Sequence, residues 1–380
     1  MRIVLFTDTI GDLNGVSRFL QDMAEIALRK NDDLQIVTST NKYYPATDNI
    51  HNFPPRFHFP MPFYNELDIA FPPRAMLEEF VIHNMPDLIH ISTPGPVGMA
   101  GRKIAMKLDI PILGTYHTDF PAYIWDNTGS RLLKRVTDRW MNHFYSPFVH
   151  VFSRSKIYGK IMQEDIAISS DKISYIRPGT NLERFSPLHT NKKIWNVYGL
   201  NDETLKVLYV GRVTIEKNVP FLLDIWRILQ RSNPELNAEL IVVGEGKCKK
   251  DVLEMKSMGV HYLGPVIGDK LSLLYASSDL FVFPSLTDTL GQVVMESSAS
   301  ALPVIVSTTG GPKSLINLSP KSGYALDINS EVWVEHIRLL CEDGKQRESL
   351  GRSAQEHMQN YPIENSYEDF MGAHRRYLGL

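Results

Sequence analysis

Apolar residues in this chain gather in short runs separated by longer amphipathic stretches. The runs Ile3–Phe6, Leu34–Val37, Leu88–Ile91, Ile110–Gly114 and Val149–Phe152 read as buried strands, and helical patterns such as Val16–Arg29 lie between several of them. A second series repeats the alternation at Val207–Val210, Leu240–Val243, His261–Leu263, Leu280–Phe283 and Val304–Val306. Strand and helix in alternation predict an α/β chain with a doubly wound, mostly parallel sheet, built twice. Two interruptions stand out. Residues 43–75 hold seven prolines (45, 54, 55, 60, 62, 72, 73) and scattered aromatics, and read as an irregular, ligand-facing excursion. The polar, turn-rich stretch Asn181–Leu200 reads as the connection between domains. The expected layout is an N-terminal domain over 1–185 and a C-terminal domain over 186–363, both Rossmann-like and facing each other across a cleft.

Composition narrows the class. At 380 residues the chain is long for one core, and 43% hydrophobic residues suits well-packed domains rather than disorder. A net charge of −3 makes no global case for nucleic acid. Cys248 and Cys341 lie far apart and match no metal spacing, which favours a reducing cytoplasm over secretion. A strand directly after Met1 leaves no room for a signal peptide, and no apolar run approaches the ~20 residues of a membrane span. The expectation is a cytoplasmic protein, soluble or peripheral on the inner face of a membrane.

The densest chemistry lies in 279–297. An apolar run (Leu280–Phe283) ends at Pro284-Ser285, a loop carries Asp288, and an amphipathic segment carries Glu296. In parallel α/β sheets, ligands bind at the carboxyl ends of strands. With a helix starting near Leu290, Asp288 sits at its mouth and Glu296 about two turns along. Eight residues at helical rise are roughly 12 Å apart. Hydrolytic carboxylate pairs lie about 5–9.5 Å apart, so the spacing suits one long ligand gripped at two points instead. The free amides of Leu290, Gly291 and Gln292 point at the same spot.

Val207–Val210 runs into Gly211-Arg212 and then Glu216-Lys217, placing two cations at a strand's carboxyl end. Arg212 offers a planar fork and Lys217 a point charge, a pair able to neutralise a departing diphosphate. Gly244-Glu245-Gly246 forms a glycine turn after the next strand. The loop 11–15 is not GxGxxG, which excludes a nicotinamide fingerprint. Gly15 still lets the backbone approach a phosphate at a helix N-terminus. His117, just after Ile110–Gly114, is a candidate by position, with Asp119 and Tyr123 weaker candidates on the acceptor side. Gly310-Gly311-Pro312 reads equally well as a plain turn.

GR-x(4)-K, VGEG, FPS-x(2)-D-x(7)-E and ALPVIVSTTGGP, in this order and spacing, resemble the nucleotide-binding half of retaining glycosyltransferases with the GT-B fold. NGV after the first strand, YHTDFPAY, and RPGTNLERFSP extend the likeness over nearly the whole chain. It is most similar to bacterial-type mannosyl-, glucosyl- and sulfoquinovosyl-transferases that glycosylate lipids. The resemblance implies that Arg212 and Lys217 hold the donor's phosphates, Glu296 its ribose hydroxyls, and that His117 approaches the donor sugar near C6. It implies also that the last helix, within 364–380, crosses back onto the first domain. Two positions depart from the family's commonest pattern: Asp288 stands where Glu is usual, and Asn14 replaces the first glycine of a Gly-Gly loop.

The expected activity is transfer of a hexose, mannose or glucose foremost, from a GDP- or UDP-hexose to a lipid or glycan hydroxyl. Neither a cofactor nor a metal is needed if Arg212 and Lys217 supply the positive charge. A hydrolysing nucleotide-sugar epimerase and a non-catalytic nucleotide-sugar sensor are the rivals. One further segment, Arg131–Phe144, aligns Leu132, Val136, Trp140 and Phe144 on one stripe, with Arg131, Lys134, Arg135 and Arg139 largely elsewhere. It reads either as a helix packed on its own domain or as a surface for anionic lipid headgroups.

Overall fold

The computed structural model describes residues 1–380 apart from Leu13, Pro62, Phe63, Thr118 and Thr289. It gives the backbone but not the side chains of residues 61, 64–68, 122, 123, 126, 127, 156 and 157. The chain forms two compact units, Met1–Arg177 with Glu364–Leu380, and Pro178–Ile363.

In the first unit, β1 (Arg2–Phe6), α1 (Gly15–Lys30), β2 (Asp33–Thr38) and β3 (Ile50–Asn52) are followed by β4 (Phe57–Met61) and β5 (Tyr64–Phe71). Then come α2 (Arg74–Asn84), β6 (Leu88–Ile91), α3 (Pro96–Leu108), β7 (Ile112–Tyr116), α4 (Phe120–Thr128), α5 (Arg131–Tyr145), β8 (His150–Ser153), α6 (Lys156–Glu164) and β9 (Ile173–Tyr175). The sheet order is β3-β2-β1-β6-β7-β8-β9, with each described pairing parallel. Ile3, Val4, Leu5 and Phe6 are all fully buried, which is why the strand reads as a continuous apolar run rather than an alternating one. The 43–75 stretch is not irregular. It supplies β3 to the sheet edge and pairs β4 with β5 in antiparallel register, with Phe57 stacked on Phe71. Its prolines hid the strands because Pro60 sits beside a register shift, where a missing amide is tolerated.

In the second unit, α7 (Ile194–Val197) precedes β10 (Leu205–Val210), α8 (Val219–Ser232), β11 (Ala238–Val243), α9 (Lys249–Glu254) and β12 (Val260–Gly264). These lead to α10 (Gly268–Ser277), β13 (Leu280–Phe283), α11 (Gln292–Ala299), β14 (Val304–Ser307), β15 (Gly323–Leu326), α12 (Ser330–Glu342) and α13 (Gly344–Met358). The strand order is β12-β11-β10-β13-β14-β15, all parallel. The chain winds outward from β10 on one side and returns to its other side at β13. The carboxyl ends of β10 and β13 therefore flank a topological switch point, where neighbouring loops diverge and leave room for a ligand. Residues 181–200 belong to this unit: Phe185 and Trp195 are buried, and the Trp195 indole donates to the Ser277 carbonyl at 3.1 Å. Among the described residues no helix is long and apolar enough to cross a membrane.

The final helix, α14 (Ile363–Leu378), packs on the first unit through Tyr367, Phe370, Met371 and His374, a stripe with helical spacing and no exposure. Arg177 forks onto Asp369 at 2.8 Å, and the Tyr367 hydroxyl donates to Asp32 at 2.6 Å. At the centre is a chain of buried polar groups whose direction chemistry dictates. The Phe370 carbonyl can only accept, so His374 Nδ1–H donates to it, at 2.6 Å. His374 Nε2 must then accept from His90 Nδ1–H at 3.0 Å, and His90 Nε2 from the Thr115 hydroxyl at 3.0 Å. Both rings are neutral and every proton has an acceptor. Burial pushes the His374 pKa down to about 4 and that of His90 well below the ordinary range.

Candidate functional site

Two glycine loops meet at the carboxyl end of the second sheet. Gly211, after β10, donates its amide to Val243 at 3.0 Å, and Val213 to Glu245 at 2.8 Å, so the ladder continues past the strands. Gly244 has φ +135°, and a Cβ there would lie 1.9 Å from the Gly211 carbonyl oxygen. Only glycine permits that backbone-to-backbone approach. The two loops are thereby fixed side by side, and the buried Tyr209 donates its hydroxyl to the Arg212 carbonyl at 2.7 Å. Glu245 turns away to accept from Tyr262 at 2.8 Å and pair with Lys249 at 3.5 Å.

On this frame the cations and Asp288 come together. Lys217 is only 7% exposed, and its ammonium lies 2.7 Å from Asp288 Oδ2, which also accepts from the Ser285 hydroxyl. Burial alone would raise the Asp288 pKa. Lys217, the Ser285 hydroxyl and nearby Arg212 outweigh it and hold the carboxyl below its ordinary value. Arg212 pairs with Glu216 four residues on, within the loop before α8. The sequence set the two apart, Lys217 beside Arg212 after one strand and Asp288 at the mouth of a later helix. The fold makes them one ion pair, because β10 and β13 are neighbours and their loops start side by side.

The Gly310-Gly311-Pro312 turn proves to be a buttress. Gly311 donates to the Asp288 carbonyl at 2.7 Å, and a Cβ on Gly310 (φ +84°) would lie 2.7 Å from that same oxygen. Gly291, at φ +81°, packs against Pro312. α11 begins at Gln292, two residues beyond the expected start, with Gly291 at its N-cap. Leu290 and Gly291 stay in the loop before it, and the Gln292 side chain donates to Gly179 at 3.2 Å.

Glu296, in the second turn of α11, is 3% exposed and accepts from the Tyr275 hydroxyl at 3.0 Å. Its apolar surroundings in the sequence demanded a donor, but Tyr275 was not identified. The available signal was a tyrosine on the inward side of the preceding helix, α10, edge-on to Phe185.

In the first unit, His117 follows β7 and its Nε2 is buried without a partner among the described residues. Burial and Arg154 bring its pKa down to about 3, so the imidazole is neutral. Arg154 lies over the Phe19 ring at 4.5 Å and is itself lowered to about 10 by burial, with Asp22 opposing. Asp119 accepts from the Tyr116 hydroxyl at 3.3 Å, and the Tyr123 side chain lies outside the described residues. Gly15 is the exposed first residue of α1, and Asn14 before it is the N-cap. Asn14 Oδ1 accepts from Val16 and Ser17 at 3.0 and 2.9 Å. Among the described residues no cluster of three His, Cys, Asp or Glu could hold a metal ion, and Cys248 and Cys341 are unpaired.

Comparison with known proteins adds to this geometry. Residues 13–184 match the family described as Glycosyltransferase Family 4, and residues 191–357 match Glycosyl transferases group 1. The chain is 31% identical to Sulfoquinovosyl transferase SQD2 of Arabidopsis thaliana over 88% of its own length and 65% of the relative's, so it spans less than two thirds of that protein. It is 25% identical to Alpha-monoglucosyldiacylglycerol synthase of Streptococcus pneumoniae, over 80% of this chain and 70% of that one. The crystal structure of Anabaena HepE in complex with UDP and glucose superposes with a TM-score of 0.74 at 16% identity, covering 98% of this chain and 99% of HepE. The two Rossmann-like parallel sheets are those of the GT-B fold.

Proposed function

We propose that the chain, whose two halves match glycosyltransferase family models, is a glycosyltransferase that transfers a hexose, glucose or mannose, from a UDP- or GDP-sugar to a hydroxyl of a lipid or glycolipid with retention of anomeric configuration. The observation that carries this reading is the Lys217–Asp288 pair beside Arg212 at the switch point of the second sheet. A diphosphate bound there meets one guanidinium fork and one ammonium, both positioned before the reaction. Lysine has three donors, so Lys217 can keep Asp288 on one and offer the others to phosphate. Asp288 then faces the hexose, and Glu296 the ribose.

In this scheme the acceptor oxygen attacks the anomeric carbon on the face from which the diphosphate departs. A new C–O bond forms as the bond to phosphate breaks, and the leaving phosphate oxygen takes the acceptor's proton. A covalent glycosyl-enzyme is disfavoured because Asp288 is committed to Lys217 and Glu296 to Tyr275. Arg212 and Lys217 supply the charge that a divalent cation supplies elsewhere. A lipid acceptor draws support from the diacylglycerol product named for the Streptococcus relative.

The test is incubation of the full chain with radiolabelled UDP- and GDP-hexoses and a lipid extract. Label in the lipid fraction supports transfer. An isomerised sugar nucleotide would indicate an epimerase, and binding without turnover a sensor; either result overturns the reading.

A further inference from the structure

We propose, resting on the assignment of Glu296 to the ribose, that Tyr275 is a positioning residue that aims the Glu296 carboxylate at the ribose hydroxyls of the donor. Tyr275 lies in the last turn of α10 and Glu296 in the second turn of α11, so the helices before and after β13 contribute one residue each. The phenol donates to Glu296 Oε2 at 3.0 Å. Tyr275 has no exposure and Glu296 only 3%. A carboxylate so far from water needs donors, and a phenol on a fixed ring supplies one in a fixed direction.

The ring is held by contacts that do not involve Glu296. Phe185 stands edge-on to it with centroids 5.6 Å apart, and Phe281 of β13 tilts against it at 5.9 Å. The turn of helix that carries it is tied down as well. The Thr190 hydroxyl donates to the Ala276 carbonyl at 2.9 Å, and the Asn191 amide to the Ser277 hydroxyl at 3.0 Å. With the Trp195 indole on the Ser277 carbonyl, residues 185–195 strap the end of α10 to the core. Phenylalanine would pack on Phe185 and Phe281 equally well, so packing does not account for the hydroxyl. Its chemistry does: it holds one oxygen of a flexible side chain and so sets the direction of the whole carboxylate. A carboxylate has about four lone-pair sites and can accept from Tyr275 and from ribose hydroxyls together. A carboxylate aimed before the ligand arrives spares binding the cost of ordering it.

The experiment is calorimetric titration of the full chain, wild type and Tyr275→Phe, with UDP and GDP, with dUDP and dGDP, and with inorganic pyrophosphate. The wild type should prefer the ribonucleotide by about tenfold or more, the effect of one hydrogen bond to a charged group. Tyr275→Phe should bring ribonucleotide and deoxyribonucleotide affinities close to equal. Its pyrophosphate affinity and far-ultraviolet dichroism should match the wild type, because Arg212 and Lys217 stand on another loop. On a Glu296→Gln background, Tyr275→Phe should cost no further ribonucleotide affinity, since the two residues act as one unit. A Tyr275→Phe protein that keeps the wild-type preference overturns this proposal alone and leaves Glu296 at the ribose. Equal loss of pyrophosphate binding overturns it too, by making Tyr275 a support of the whole site. A wild type that binds ribonucleotide and deoxyribonucleotide equally, or neither, overturns the assignment of Glu296 and this proposal with it.

Discussion

Acid should loosen the terminal helix through His374. The neutral pair His90–His374 uses every ring proton, so one more proton must break a hydrogen bond or sit beside a donor with no acceptor. An unfolded histidine titrates near 6.5, while burial holds His374 at about 4. The unfolded chain therefore binds the proton more readily. The contribution is present above about pH 6.5 and is lost as pH falls toward 4. At pH 5 the unfolded ring is almost fully protonated and the folded one is not, which lowers stability by about 2 kcal/mol for His374 alone. That is a sizeable share of the roughly 5–15 kcal/mol typical of a folded protein. Histidines 117 and 150 also have lowered values, so the total pH dependence is not specific. The informative quantity is a difference of differences. Urea unfolding of the wild type and of His374→Gln, each at pH 7 and pH 5, should show the variant weaker at pH 7 but losing about 2 kcal/mol less on acidification. Equal losses in the two proteins would refute the reasoning, because His117 and His150 titrate in both.

Lys217→Ala should lower turnover by about 10²–10³-fold in a protein that still folds, since a preorganised charge at the leaving group is lost; near-wild-type turnover would remove the leaving-group assignment. EDTA should leave activity in place, and complete loss restored by magnesium or manganese would show a metal requirement. Glu296→Ala should weaken product nucleotide and intact donor by similar factors, about ten- to a hundredfold for a lost 1.5–3 kcal/mol. Asp288→Ala should impair transfer yet leave calorimetric binding of the nucleoside diphosphate intact or tighter, because Lys217 loses its internal counter-ion; the opposite pattern in the two variants would reverse the polarity of the site.

The parts of this molecule readable from sequence are those that depend on neighbours along the chain. Buried parallel strands such as Leu88–Ile91 and Leu280–Phe283 are continuous apolar runs, and their bounds in the fold coincide with the runs. Glycine loops after β10 and β11 announce themselves because no other residue fits the approach of Gly244 to Gly211. What escaped were relations between residues far apart in sequence or set by partner choice. Lys217 and Asp288 are 71 positions apart and meet because β10 and β13 are adjacent in a winding order that periodicity does not specify. Tyr275, in the helix before β13, reaches Glu296 in the helix after it. Asn14 read as a departure from a Gly-Gly loop, whereas its side chain caps the amides of Val16 and Ser17. Lys134 looked equivalent to its arginine neighbours until Asp165 came alongside. In each case composition supplied the right chemical group, and topology decided which partner it met. A charged residue in such a chain is thus a candidate by its type, and the partners that the fold gives it decide its part in a site.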